Sequence, residues 1–311
     1  MKTLLVVVML AASAGTASSQ VARGDGAATA FQIVTLDCPG SAYTTAMGIN
    51  NHGDIVGVCN VPNTHKLVGF VRSEEGDFSL LDPPGSISSA ALGINDRGQV
   101  VGFYQFTPYD RHGFLRHKIH DDAVVFDDID VDGAVATEAT AINESGTIVG
   151  MAYAGDGTIH GYILKKGVIV PLDAPDARDT AAFGINARGD VAGNWDTNPW
   201  TTGHGFVVSK GHFRTFDAPD AAPDSTAGFG INDRGQVVGF YTDLDGKAHG
   251  FLATETRFTT IDVPGAVWTS AQGINSDGHI VGQYGGADGR LHGFVAYPAS
   301  HGGRRDVPTG R

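Results

Sequence analysis

Five histidines recur along the chain, each followed by glycine and an aromatic residue: His112, His160, His204, His249 and His292. Imidazole is the commonest protein ligand for transition metals and the usual proton carrier near neutral pH, so metal binding and acid–base catalysis are the first chemistries to weigh. Their spacing argues against both. Successive histidines belong to successive repeats and would stand on separate structural units, whereas one ion needs its ligands within about 2 Å. A partner is available closer by. Folding the chain about Lys166-Gly167 sets His160 opposite Asp173, folding it about Lys210-Gly211 sets His204 opposite Asp217, and folding it about Glu255-Thr256 sets His249 opposite Asp262. Facing side chains on paired strands approach closely, so the histidines are predicted to be scaffold, tying a third strand to a fourth. No metal and no cofactor is assigned.

Other reactive groupings are weaker still. The chain has no Gly-x-Ser-x-Gly elbow, no His-Glu-x-x-His, no phosphate loop and no Cys-x-x-Cys. Asp243-x-Asp245-Gly246 reads as an Asp-Gly turn, because the rest of a calcium loop is missing. Asp121-Asp122 and Asp127-Asp128 fall in a polar insertion and are read as solvated.

The elements that position these residues follow from internal repetition. Gly-Ile-Asn begins at Gly48, Gly93, Gly184, Gly230 and Gly273, with Ala141-Ile142-Asn143 as a variant copy, at spacings of 45, 48, 43, 46 and 43 residues. A period of 40 to 50 residues is the signature of propellers and solenoids. Each copy holds four short β-like runs and no helical periodicity, which predicts an all-β fold: a six-bladed β-propeller of four-stranded blades. The Asn of each motif opens a tight turn, and Gly53, Gly98, Gly146, Gly189, Gly235 and Gly278 supply its left-handed residue. Pro171 lies in the fourth run, which fits an edge strand lacking one N–H partner, so that run is outermost and the small-residue run before Asn is innermost. By this phasing the first outer run, residues 33 to 37, has no blade before it. It is expected to complete the last blade by pairing with residues 292 to 296, placing Asp37 beside His292.

The opening residues MKTLLVVVMLAASAGTASSQ read as a secretory signal over 1–19, with cleavage after about Ala17 or Ser19. A linker over 20–32, the repeats over 33–297 and a disordered tail over 298–311 complete the expected division. No later segment reads as a membrane span, so the protein is expected to be secreted or periplasmic. Cys38 and Cys59 stand together in the first repeat of an exported chain, where a disulfide is one of two open outcomes. A net charge of −13 and the absence of a basic run beyond Arg304-Arg305 exclude nucleic acid as a partner.

The Gly-Ile-Asn, Ile/Val-Val-Gly and His-Gly-Phe elements, from about Ile33 to Ala296, resemble the HAF repeat of bacterial extracellular proteins. The first copy departs from it, with Val68-Gly69-Phe70 in place of the histidine. The resemblance implies export and repeat architecture but no chemistry.

Positions that vary among equivalent copies are free of scaffold demands, and on repeat proteins they carry function. Five residues before each motif stand Tyr43, Ser88, Ala136, Asp179, Ser225 and Trp268, each followed by Thr or Ser. In a closed ring these six surround one mouth, and Tyr43 and Trp268 enter neighbouring blades. They are the candidate platform for a sugar or peptide, with Asp179 across the mouth and Trp195 and Trp200 in a long turn on the same face. The sequence therefore reads as an exported, non-enzymatic binding module for carbohydrate, peptide or protein. The alternative is an extracytoplasmic polysaccharide lyase or hydrolase, and a structural envelope protein is a third reading. An acid/base pair converging on the central mouth with a perturbed pKa would favour the enzyme, and an aromatic patch without one would favour binding.

Overall fold

The computed structural model describes residues 31–62, 64, 66–119, 123–199 and 201–299. The expected signal segment, most of the linker and nearly all of the tail lie outside them. Among the described residues six four-stranded antiparallel sheets account for all the regular structure, and each innermost strand contacts the innermost strands of both neighbouring blades, so the sheets close into a ring. The fold is a six-bladed β-propeller.

Blade 3 shows the unit, with strands Ala136–Ile142, Ile148–Tyr153, Ile159–Lys165 and Val168–Leu172 running from the axis outward. Why these residues stack this way is visible at one glycine per blade. A Cβ on Gly57, Gly102, Gly150, Gly193, Gly239 or Gly282 would come within 1.9 to 2.2 Å of an inner-strand carbonyl, so only hydrogen fits there. The space is taken by the aromatic ring from the third strand. Phe70, Phe114, Tyr162, Phe206, Phe251 and Phe294 are all at most 1% exposed, each burying roughly 2 kcal/mol of apolar surface. The Val-Val-Gly and His-Gly-Phe elements are thus two halves of one packing contact.

The ring closes as the phasing requires. Strand Phe31–Leu36 pairs antiparallel with Leu291–Pro298, setting Ile33 opposite Ala296, and His292 Nδ1 lies 2.8 Å from Asp37 Oδ2. The strand begins at Phe31, two residues before the sequence-based boundary, because Phe31 and Gln32 extend the same ladder to Pro298 and Tyr297. Cys38 and Cys59 form a disulfide with Cα atoms 6.3 Å apart. Cys38 follows the strand that completes blade 6, and Cys59 lies in the second strand of blade 1. The bond therefore clamps the seam between first and last blades, a contribution of about 3 kcal/mol for a loop of this size.

At one end of the axis the motif asparagines form a cycle. Asn50 donates through Nδ2 to the carbonyl of Asn95, and the chain continues through Asn143, Asn186, Asn232 and Asn275 back to Asn50 at 3.0 to 3.3 Å. The Oδ1 atoms accept local turn N–H groups, such as Arg234 N and Gln236 N at Asn232. Each asparagine thus shapes its own turn and holds the next blade.

Candidate functional site: the variable mouth and the axial cavity

The opposite face carries the connections from each outer strand to the next inner strand. The recurrent Thr after the variable position is structural: Thr44, Thr137, Thr180, Thr226 and Thr269 each accept, through Oγ1, a backbone N–H from the connection at 3.0 to 3.1 Å. The His–Asp pairs ring the same face farther out. His160, His204 and His249 hydrogen-bond Asp173, Asp217 and Asp262 at 2.9 to 3.1 Å, and His112 meets Asp130 in the same way. Tyr104, Trp195, Tyr241 and Tyr284 lie against the rings of His112, His204, His249 and His292, with centroids 4.9 to 5.5 Å apart. Among the described residues no group of three or more His, Cys, Asp or Glu is arranged to hold a metal ion.

The aromatic residues expected at the mouth are not brought together. Tyr43 is half-buried against Val58, Ala90 and Phe103, toward blade 2, with its hydroxyl enclosed and unpartnered; burial raises its pKa. Trp268 is half-buried against Ala227, Phe229, Phe240 and Ala248 of blade 5. The two rings thus pack into separate clusters on either side of the seam blades. Trp195 lies within the strand Val191–Asp196 rather than in the turn that follows, and its Nε1 donates to Thr215 Oγ1 at 3.2 Å, so it covers its own blade. Trp200 lies outside the described residues.

Asp179 sits at the mouth, but as part of a buried carboxyl pair. It is paired with Asp196 across two strands, accepts Ile159 N at 2.9 Å and forms an ion pair with Arg178. Asp196 is 8% exposed, its Oδ1 has no partner, and its pKa is pushed up to about 6 by burial and by the neighbouring charge of Asp179. The insertion carboxylates described here have partners: Asp127 meets His117 at 2.8 Å and Asp128 accepts Tyr104 Oη at 2.7 Å.

The more informative feature lies deeper. Each inner strand carries a β-bulge at the residue before the motif Gly, and the bulge turns one side chain per blade onto the axis: Met47, Leu92, Thr140, Phe183, Phe229 and Gln272. With Glu138 and Gln283 they line a small cavity of about 40 Å³, room for a few water molecules. Residues equivalent by repeat differ in kind here. Glu138 stands where other blades have Thr45, Ala90, Ala181, Ala227 and Ser270. Its Oε1 accepts from Arg111 and, at 3.1 Å, from Tyr153 Oη, while Arg111 also stacks over Phe103 at 5.0 Å. Burial works against the Arg111 charge, but the adjacent Glu138 outweighs it and holds the guanidinium protonated. Gln283 is 2% exposed with Oε1 unpartnered, and Gln272 gives its Nε2 to Ser270 Oγ at 2.9 Å. Sequence reasoning passed over these positions. The signal was a single unconstrained residue before an otherwise fixed Gly, together with one carboxylate in an otherwise small-residue strand.

No family model and no curated protein matches the chain. Solved structures do. TolB from Acinetobacter baumannii superposes with a TM-score of 0.52 at 11% identity over 81% of this chain, which spans 64% of the length of that protein. A fucosyl complex of the Aleuria aurantia lectin gives 0.51 at 11% identity, covering 87% of this chain and 98% of the lectin. AofleA from Arthrobotrys oligospora gives 0.51 at 12%, covering 89% and 86%. At these identities the likeness is one of fold.

Proposed function

We propose that this protein is an exported, non-enzymatic binding module that receives a carbohydrate, peptide or protein ligand on the variable face of the propeller. The observation that carries this reading is the difference in kind among six equivalent axial positions, together with the buried, unpartnered Gln283 Oε1 beside them. The scaffold repeats everything it needs, so an unrepeated set of polar groups around an open cavity is a provision for something else. The solved propellers it resembles include one described as a lectin in complex with a fucosylated sugar, a use of the same fold for binding. Membership of the HAF-repeat family and a secreted or periplasmic location belong to the same proposal and rest on the repeat motifs and the signal-like opening. Among the described residues no helix is long and apolar enough to cross a membrane.

One observation favours the lyase or hydrolase alternative: the Asp179–Asp196 pair, in which Asp196 titrates near neutral pH. Geometry counts against it. Asp196 Oδ1 is enclosed, and Asp179 is already committed to Arg178 and Ile159 N, so neither carboxyl is presented to a ligand. The deciding experiment screens the mature protein against glycan and peptide arrays and assays the same ligands for chain cleavage. Binding without product is expected; product formation that Asp196→Asn abolishes would establish the enzyme instead.

A further inference from the structure

We infer that the blade 2 sector of the variable face docks a partner protein through an exposed segment in which apolar side chains are flanked by lysine or arginine. This rests on the binding reading above and selects one ligand class and one place on the face. The first argument is the loop 106–111, between strands Val100–Gln105 and His112–Lys118. Three residues before the motif histidine, blades 3, 5 and 6 have Gly157, Gly246 and Gly289, each at a positive φ of 78 to 84°. Blade 2 has Tyr109 there, and Phe106 where those turns begin with Ala154, Asp243 and Gly286. A different closure replaces the glycine turn at equal length: Asp110 Oδ1 accepts Phe106 N at 2.9 Å and Thr107 N at 3.0 Å. Tyr109 is 73% exposed and Phe106 49%, so the exchange sets in solvent two aromatic rings that the scaffold does not require. Neighbouring connections widen the surface. Ile87, whose N donates to Gln105 O at 2.8 Å, is exposed on one side. Val135 is exposed on the other, in the connection whose Thr137 N donates to Arg111 O at 2.8 Å.

The second argument is the state of the polar groups beside these rings, which are committed within the loop. Gln105 donates through Nε2 to Asp110 O and accepts Ser88 Oγ through Oε1, while Thr107 Oγ1 accepts Tyr109 N. A sugar needs directed hydrogen bonds beside the ring it stacks on, whereas the apolar side chains of a peptide need contact area. The third argument is charge. Burial, the hydrogen bond to Asp128 and the charges of Asp128, Asp130 and Asp110 raise the pKa of Tyr104, against whose ring Phe106 packs at 5.2 Å. Those three carboxylates therefore stand beside the patch, and Asp132 is exposed in the connection that carries Val135. Among the described residues the Lys and Arg side chains of this sector are Lys66 and Arg111, which Asp82 and Glu138 neutralise. The negative charge left over is complementary to a basic rim around an apolar contact.

The test selects a displayed library of random peptides on the mature, full-length chain and measures the enriched sequences as synthetic peptides by fluorescence anisotropy. They should place Leu, Phe, Trp or Met beside Lys or Arg, and their affinity should fall several-fold from low to high salt. The double variant Phe106→Ser and Tyr109→Ser should weaken them at least tenfold. Tyr109→Ser alone is the second variant, should the double one fail to fold, and it should weaken them several-fold. The inference is overturned if the enriched peptides are acidic, if they bind the folded variants as they bind the parent, or if no peptide is enriched. It is overturned equally if the double variant loses a glycan and no peptide. Peptides or array glycans that bind irrespective of these substitutions would leave the binding module standing and remove only this surface. No binding of any kind would remove both.

Discussion

The two ends of the propeller axis are built from the same six repeats and are treated in opposite ways. At one end every blade contributes an asparagine, and the six close a hydrogen-bonded cycle in which each carboxamide serves its own turn and its neighbour's carbonyl. At the other, corresponding positions hold Met47, Leu92, Thr140, Phe183, Phe229 and Gln272, and nothing about them is shared except the bulge that turns them inward. Closing a ring imposes one geometric requirement on all blades alike, so residues that meet it must be identical. A cavity on the axis needs only to be lined. Identity marks where the scaffold is satisfied, and divergence marks where chemistry has room.

The contrast can be broken most forcefully at the uniform end. Asn232→Ala removes donors to Gln236 and Asn275 and the acceptor for two turn N–H groups, in a residue that is 3% exposed. Leaving those buried groups unpaired should cost about 3 kcal/mol in denaturant unfolding with ligand affinity unchanged. A loss of affinity at full stability would show that the cycle is itself a site.

A smaller effect of opposite sign is expected at the variable end. The native state holds the Asp196 proton more tightly than the unfolded chain, so the stability this group confers is complete below about pH 4. It falls away as pH climbs through about 6. Asp196→Asn should therefore stabilise the protein at pH 7 by on the order of 1 kcal/mol and flatten its stability profile between pH 4 and 7. Destabilisation at pH 7 would mean that the carboxylate is needed ionised.

The smallest effect is expected at the seam. Burial opposes a charge on His292, but hydrogen bonds and attraction from Asp37 and Asp288 outweigh it and raise its pKa above the ordinary 6.5. Its stabilising contribution is present in full below the unfolded value and is lost as pH rises through the higher native one. Unfolding midpoints between pH 5.5 and 8.5 should fall by less than about 1 kcal/mol equivalent, and His292→Gln should abolish that slope. An unchanged slope in the variant would place the titration elsewhere.

How much of this could be read beforehand depended on distance along the chain. The Lys166-Gly167 turn has both residues at positive φ, as its two-residue hairpin demands, so the facing of His160 and Asp173 followed from local chemistry. Ring closure followed from counting strands against Pro171, which pairs with Tyr162 on an outer edge. The reach of Asn50 to Asn95, the packing of Tyr43 toward blade 2 and the Arg111–Glu138 contact join different repeats. No local pattern encodes how one blade leans on the next. The platform expected of Tyr43 and Trp268 assumed that neighbouring loops point at each other, whereas each ring found its nearest apolar cover on the far side of its own blade.

One consequence of the strand Phe31–Leu36 lying in the last blade concerns ancestry rather than stability. The period that recurs in the gene product starts with the outermost strand of one sheet and ends with the third strand of the next. A duplication that copies such a period never copies a whole sheet. Any number of tandem copies therefore ends with a sheet missing its rim at one terminus and a lone rim strand at the other, each complementary to nothing else in the chain. Amplification by whole periods gives any such array a matching pair of ends, and in this chain the disulfide from Cys38 to Cys59 fastens that join.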